Sequence, residues 1–144
     1  MSGKFVVGYD GSKASRRALD FAIERAAAEG ASVIIAHVLE WSPYSFLTPT
    51  ELEERHKRRN EELARAETAL MAPVVKEVSG KGADIESTIK YGRIVDVLCK
   101  VATDSKATQI FVARDGESSI TTRVFGSVAS SLAQSSPVPC TIVP

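Results

Sequence analysis

An open, doubly wound α/β domain is the fold class this sequence predicts, with a five-stranded parallel sheet in the order 3-2-1-4-5 and four helices. Three observations predict it. Short apolar runs of strand length alternate along the chain with longer stretches of helical period. The first, second and fourth runs, Lys4 to Tyr9, Ala31 to Leu39 and Thr108 to Val112, are apolar on both faces, as strands covered by helices on either side must be. The third and fifth runs look like edges. Ala83 to Ile89 alternates, its Ile85 and Ile89 separated by Glu86, Ser87 and Thr88, and Val138 to Val143 contains Pro139, which cannot donate to a ladder.

The elements follow in order. Asp10-Gly11-Ser12 breaks the first strand, and Ser12 is a natural N-cap for a helix from Lys13 to Glu29. Ala14, Ala18, Phe21, Ala22 and Ala26 fall on one face of that helix, and Gly30 supplies its C-terminal stop. After the second strand, a connection carries Trp41, Pro43, Tyr44 and Phe46, an aromatic loop suited to covering a ligand or meeting a partner. Thr48-Pro49-Thr50-Glu51 reads as a capping box with proline at the first helical position. The long helix that starts there mixes charges of both signs at helical spacing, which describes a solvated face, His56 included. Leu52, Leu63, Ala66, Leu70 and Val74 form its apolar stripe, and Pro73 kinks or ends it before Gly80-Lys81-Gly82. Gly92 turns the third strand into a helix through Ile94, Leu98, Val101 and Ala102. A last helix spans about Gly126 to Gln134.

Composition bounds the function. The chain has the length of a single domain, 1–144, able to bury roughly 70% of its unfolded surface. Lys+Arg and Asp+Glu both total 18, so no basic field gathers nucleic acid or anionic lipid. Met1-Ser2-Gly3-Lys4 leads into an apolar run too brief for a signal peptide, and nowhere do ~18 apolar residues run together. A cytoplasmic protein without membrane insertion is therefore expected. Cys99 and Cys140 stand far apart with no Cys-x-x-Cys and no His cluster, which argues for buried thiols rather than a metal knot.

The functional signal lies between Gln109 and Ser131. Ile110 to Ala113 empties into a polar loop around Gly116, and Gly126-Ser127 opens a helix. The first turn of a helix leaves backbone N–H groups without intrahelical partners at the positive end of its dipole, which suits an anion. In the order 3-2-1-4-5 the first and fourth strands are neighbours whose connections leave to opposite faces, and ligands bind at such a crevice. It would be lined by Asp10-Gly11-Ser12 and Ala113-Arg114-Asp115-Gly116. Taken alone, Asp10-Gly11-Ser12 is an ordinary capped turn, and His37 in its apolar strand is a satisfied core histidine with no catalytic role assigned.

These residues resemble the universal stress protein family, whose phosphate-cradling signature is a Gly-x2-Gly-x9-Gly-[Ser/Thr] run after the fourth strand. The sequence offers Ala113-Arg114-Asp115-Gly116, nine intervening residues, then Gly126-Ser127-Val128-Ala129. Asp10 ending the first strand, His37-Val38 in the second, Gly92 before the third helix and the terminal Pro137, Pro139 and Val143 extend the likeness over the whole chain. The resemblance implies ATP bound with Mg2+. Asp10 would contact the ribose or the nucleotide-bound Mg2+, and the Val38 backbone would read the adenine edge. Gly116, Gly126, Ser127 and Val128 would cradle the phosphates, alongside Gly11, Ser12, Ala113 and Arg114.

Three residues depart from the pattern: Ala113 replaces a glycine and so loses access to positive φ, Asp115 places a carboxylate near the phosphates, and Ser119 replaces another glycine. Arg114 and Arg123 bring positive charge to the same loop. Two readings stay open: a nucleotide-dependent regulator with at most slow ATP hydrolysis, and a nucleotide-free dimeric stress adaptor acting by protein contact. An enzyme of another kind finds no support, since no Gly-x4-Gly-Lys-[Ser/Thr] run occurs. The family assembly implies a homodimer through Val138 to Val143, and the protein partner is unknown. An apolar edge strand supplies a physical reason for such pairing.

Overall fold

The computed structural model describes residues 3–40, 48–114 and 127–144. Through its middle runs a five-stranded sheet: β1 (Lys4–Gly8), β2 (Ser32–Glu40), β3 (Ile85–Gly92), β4 (Gln109–Ala113) and β5 (Cys140–Val143), in the order β3-β2-β1-β4-β5. Every pairing is parallel, so all the carboxyl ends of the strands lie along one edge of the sheet. The helices are α1 (Lys13–Glu29), α2 (Pro49–Ala66), α3 (Ala72–Val78), α4 (Ile94–Ser105) and α5 (Ser127–Ser135). A π-helical turn, Glu67–Met71, joins α2 to α3 without a break, so the described residues form four helical rods.

The sheet divides the interior into two layers. On one face Leu19, Ala22, Ile23 and Ala26 of α1, with Met71, Val74 and Val78, pack against Phe5, Val7, Val33, Ile35 and Phe111. On the other, Leu98 and Ala102 of α4 and Ala129 and Leu132 of α5 cover Val6, Ile34, Ala36, Ile110 and Val112. Alternate residues of each central strand thus go to opposite layers, which explains why β1, β2 and β4 are apolar throughout. Because α1 lies on one face and α5 on the other, the chain leaves β1 and β4 in opposite directions.

Local chemistry sets the ends of the elements. The Ser12 hydroxyl accepts from the Ser15 N–H and caps α1, and Gly30 closes it in the left-handed region at φ 72°. Thr48 caps α2 through the Glu51 N–H, with Pro49 in the first turn. The buried arc of α1 is rotated from expectation: Ser15, Leu19 and Ile23 are inside, while Phe21 flanks the core with its ring 6.1 Å from that of Phe111. The stripe of the long helix is buried only in its later half. Val74 is inside and Leu70 packs on the core, whereas Leu52 is exposed and α2 buries no residue. Tyr91 of β3 holds α2 in place. Its hydroxyl donates to the Arg59 carbonyl at 2.6 Å, and the Arg59 guanidinium lies 4.4 Å from its ring centre.

Pro73 neither ends nor breaks the rod. Without an N–H it cannot bond the carbonyl four residues back, and its ring crowds that carbonyl. The turn just before it widens instead, the Ala72 N–H reaching back to Glu67. At the sheet edges, β3 starts later and runs further than the alternation suggests, because β2 offers partners as far as Glu40 opposite Gly92. β5 begins just after Pro139, whose carbonyl still accepts from the Ile110 N–H at 3.0 Å.

Candidate functional site

The crevice starts from register. β1 ends its pairing with Gly8 opposite Ala36 of β2, and Val7 opposite Phe111 of β4. Asp10 lies three residues past Val7 and Arg114 three past Phe111, so both enter their loops at the same level of the same sheet edge. β2 continues beyond β1 to Glu40. The Tyr9 N–H donates to the Ala36 carbonyl at 2.9 Å, which shows that Ala36 directs its main-chain groups toward β1. By the two-residue period of a strand, Val38 directs its N–H and C=O to the same side, past the point where β1 stops. His37 closes the gap between the two strands. Its Nδ1 lies 2.8 Å from the Tyr9 carbonyl, which can only accept, so Nδ1 carries the proton.

The Asp10 turn is held rigidly. Asp10 Oδ1 accepts from the Ser12 N–H at 2.9 Å and from the Ser15 hydroxyl at 2.8 Å. Ser12 and Ser15 are the buried polar residues among those described, and their hydroxyls lie 3.1 Å apart. Partial burial on its own would raise the Asp10 pKa; the hydrogen bonds from Ser12 and Ser15 outweigh it and hold the carboxyl below its ordinary value. Asp10 itself is exposed, an anionic group at the carboxyl edge of the sheet. Gly11 makes the turn possible: its φ is 85°, and a Cβ there would come 2.7 Å from Leu70 Cδ1 of the π turn.

On the β4 side, Ala113 is the last residue of the strand, opposite Val143, and the Arg114 N–H donates to the Val143 carbonyl at 2.8 Å. Among the described residues Lys106 is the non-glycine with positive φ, so Ala113 occupies a conformation open to any residue. The conformational freedom lost with glycine at this position is not needed here. Ser127 is exposed at the first turn of α5, while Val128 packs into the layer that α4 and α5 form against the sheet. Gly116 and Gly126, with Asp115, Ser119, Arg123 and the Trp41–Phe46 segment, lie outside the described residues. The structure thus places Asp10, Gly11, Ser12, Val38, Ala113 and Arg114 along one edge of the sheet. It adds Ser15, which sequence reasoning missed. The signal was available in Asp10-Gly-Ser-x-x-Ser15: a second serine one turn after the cap, on a face otherwise apolar.

Among the described residues no group of three or more His, Cys, Asp or Glu side chains gathers into a metal site, and no helix is long and apolar enough to cross a membrane. Asp10 supplies a hard oxygen donor of the kind Mg2+ accepts, and Mg2+ commonly takes one or two carboxylates with the remaining positions filled by phosphate oxygens and water. Asp10 therefore fits the part of a single carboxylate donor to such a cation.

Such an architecture defines a doubly wound α/β protein whose two central strands, β1 and β4, meet at a topological switch point. Comparison with known proteins narrows this class. The universal stress protein family model matches residues 1–144, and the chain belongs to that family. A universal stress protein of Thermus aquaticus, from the QAH/OAS sulfhydrylase 3' region, is 28% identical over 140 residues, covering 96% of each chain. A universal stress protein solved in complex with cAMP is 32% identical at a TM-score of 0.69, covering 99% of this chain and 97% of that one. UspA from Lactobacillus plantarum superposes at a TM-score of 0.83 with 20% identity, covering 99% and 97%, a likeness of fold.

Proposed function

We propose that this protein binds ATP with Mg2+ at the crevice between β1 and β4 and acts as a nucleotide-dependent regulator, with at most slow hydrolysis. The observation that carries the reading is the Asp10 turn: an exposed carboxylate tied down by two buried serines beside a crevice between adjacent central strands. That a 32% identical universal stress protein has been solved with cAMP supports an adenine nucleotide as the ligand. In this reading Asp10 meets the ribose or the nucleotide-bound Mg2+, and the outward main-chain groups of Val38 meet the adenine edge. Gly11 and Ser12 let the backbone come close. Gly116, Gly126, Ser127 and Val128 offer N–H groups to the phosphates with Ala113 and Arg114 at the rim. Bound Mg2+ would neutralise phosphate charge. Nothing in the described site nominates a residue to position a water for attack, which is why turnover would be slow.

The second reading, a nucleotide-free adaptor, draws on Asp115, whose carboxylate would oppose a triphosphate. Both readings include a homodimer through Val138 to Val143, since β5 is an edge strand whose apolar residues remain half-exposed, and both leave the protein in the cytoplasm with an unidentified protein partner. Denaturing extraction of the purified protein followed by nucleotide chromatography separates them. Recovery of adenine nucleotide in near-stoichiometric amount is expected; a protein that carries none and takes up none from ATP and Mg2+ is the adaptor.

A further inference from the structure

We propose that Ser15 is a positioning residue for the nucleotide site, acting through Asp10. The inference rests on the nucleotide-binding reading above and deepens it. Ser15 occupies a place where α1 would otherwise want a small apolar residue: it lies on the arc of Ala18, Leu19, Ala22 and Ile23 and is buried among them. Capping alone explains Ser12, whose hydroxyl accepts the Ser15 N–H at 3.1 Å. It does not explain the Ser15 side chain, because alanine at that position would give the same N–H to the same cap and favour the helix more.

The hydroxyl has one proton and three acceptors within reach: Asp10 Oδ1 at 2.8 Å, the Ser12 carbonyl at 3.1 Å and the Ser12 hydroxyl at 3.1 Å. The shortest contact is also the one to a charged group, so the proton goes to Asp10. The Ser12 hydroxyl then donates to Ser15, and the Asp10 N–H, at 3.3 Å, completes the ring from the other side. Each buried hydroxyl is thereby satisfied. The result is a directional chain, Ser12 to Ser15 to Asp10, in which the Ser12 N–H and the Ser15 hydroxyl both bond Oδ1 and restrict the carboxylate. A carboxylate fixed before the ligand arrives loses no rotamer freedom on binding. Ser15 therefore acts through Asp10 rather than on the nucleotide: together with the Ser12 N–H it engages Oδ1 and leaves Oδ2 for the ligand.

A binding cycle tests this. ATP affinity in Mg2+ is measured by calorimetry for the unaltered protein, Ser15→Ala, Asp10→Ala and the double variant, with thermal unfolding of each ligand-free sample as a check on folding. Ser15→Ala is expected to weaken ATP binding about 5- to 10-fold, since it removes one of the two hydrogen bonds that hold Oδ1 while the Ser12 N–H keeps the other. In the Asp10→Ala background the same change should alter affinity less than about 2-fold, because the group it acts on has gone. Ser15→Thr, which keeps the hydroxyl, should recover most of the loss; if its added methyl group lowers the unfolding temperature, the cycle alone decides. Unchanged affinity in Ser15→Ala, or an equal loss in both backgrounds, overturns the positioning role while leaving nucleotide binding intact. Failure of the unaltered protein to bind ATP overturns both.

Discussion

Gly11 and Asp10 carry most of the site's local physics. Gly11 turns the chain in a conformation that costs an L-residue about 1–2 kcal/mol, and Leu70 lies where its Cβ would stand. Gly11→Ala is therefore expected to lower stability by at least that amount and to weaken nucleotide binding, read by urea unfolding and by calorimetry; unchanged stability would mean that the turn relaxes freely. Asp10 makes stability depend on pH with a definite sign. Its folded pKa is depressed, so its contribution is present above the unfolded value, about 3.9, and fades as pH falls through the folded one. In nucleotide-free, metal-free protein the stability advantage over Asp10→Asn should hold from about pH 5 to about pH 7 and shrink toward about pH 3. An advantage that grows on acidification contradicts the hydrogen bonding described.

At the scale of elements, the parts that follow from periodicity and capping chemistry were legible in the sequence. The bounds of α1 fell where Ser12 and Gly30 put them, and the inner strands where the apolar runs lay. What could not be read needed a third dimension. The π turn depends on how the rod accommodates Pro73 while keeping Met71 and Val74 buried, and a local pattern records only that proline is awkward there. The extent of β3 was set by its neighbour, since Tyr91 and Gly92 join the strand because Leu39 and Glu40 are there to pair. Ser15 was legible only as a second serine one turn after the cap on an apolar face; its bonds to Asp10 and Ser12 are seen only in the fold. One element end is improvable. Lys106 closes α4 in the left-handed region at φ 57°, a task glycine performs without strain. Lys106→Gly should stabilise by about 0.5–1 kcal/mol without changing ATP affinity, because it precedes β4 at the opposite edge of the sheet from Asp10. A loss of stability would show that the lysine side chain does more than solvate.

For the whole molecule, the layered arrangement explains why function gathers at one edge. Parallel pairing sends every strand end to the same side, and α1 and α5 lie on opposite faces of the sheet, so β1 and β4 meet at a topological switch point, where such sheets bind ligands. The other exposed feature at this scale is β5, short and apolar at the sheet boundary. Light scattering should give a dimer, and Ile142→Lys should convert it to a monomer while nucleotide binding persists; a monomeric unaltered protein would refute pairing through that strand.

The central claim is that the crevice between β1 and β4 takes an adenine nucleotide, and thermal unfolding against increasing ATP with Mg2+ tests it most directly. Saturation at about 100 times the dissociation constant should stabilise the fold by roughly 2.7 kcal/mol, an increment that Asp10→Ala reduces. An unfolding temperature indifferent to millimolar ATP in a well-folded sample would contradict it.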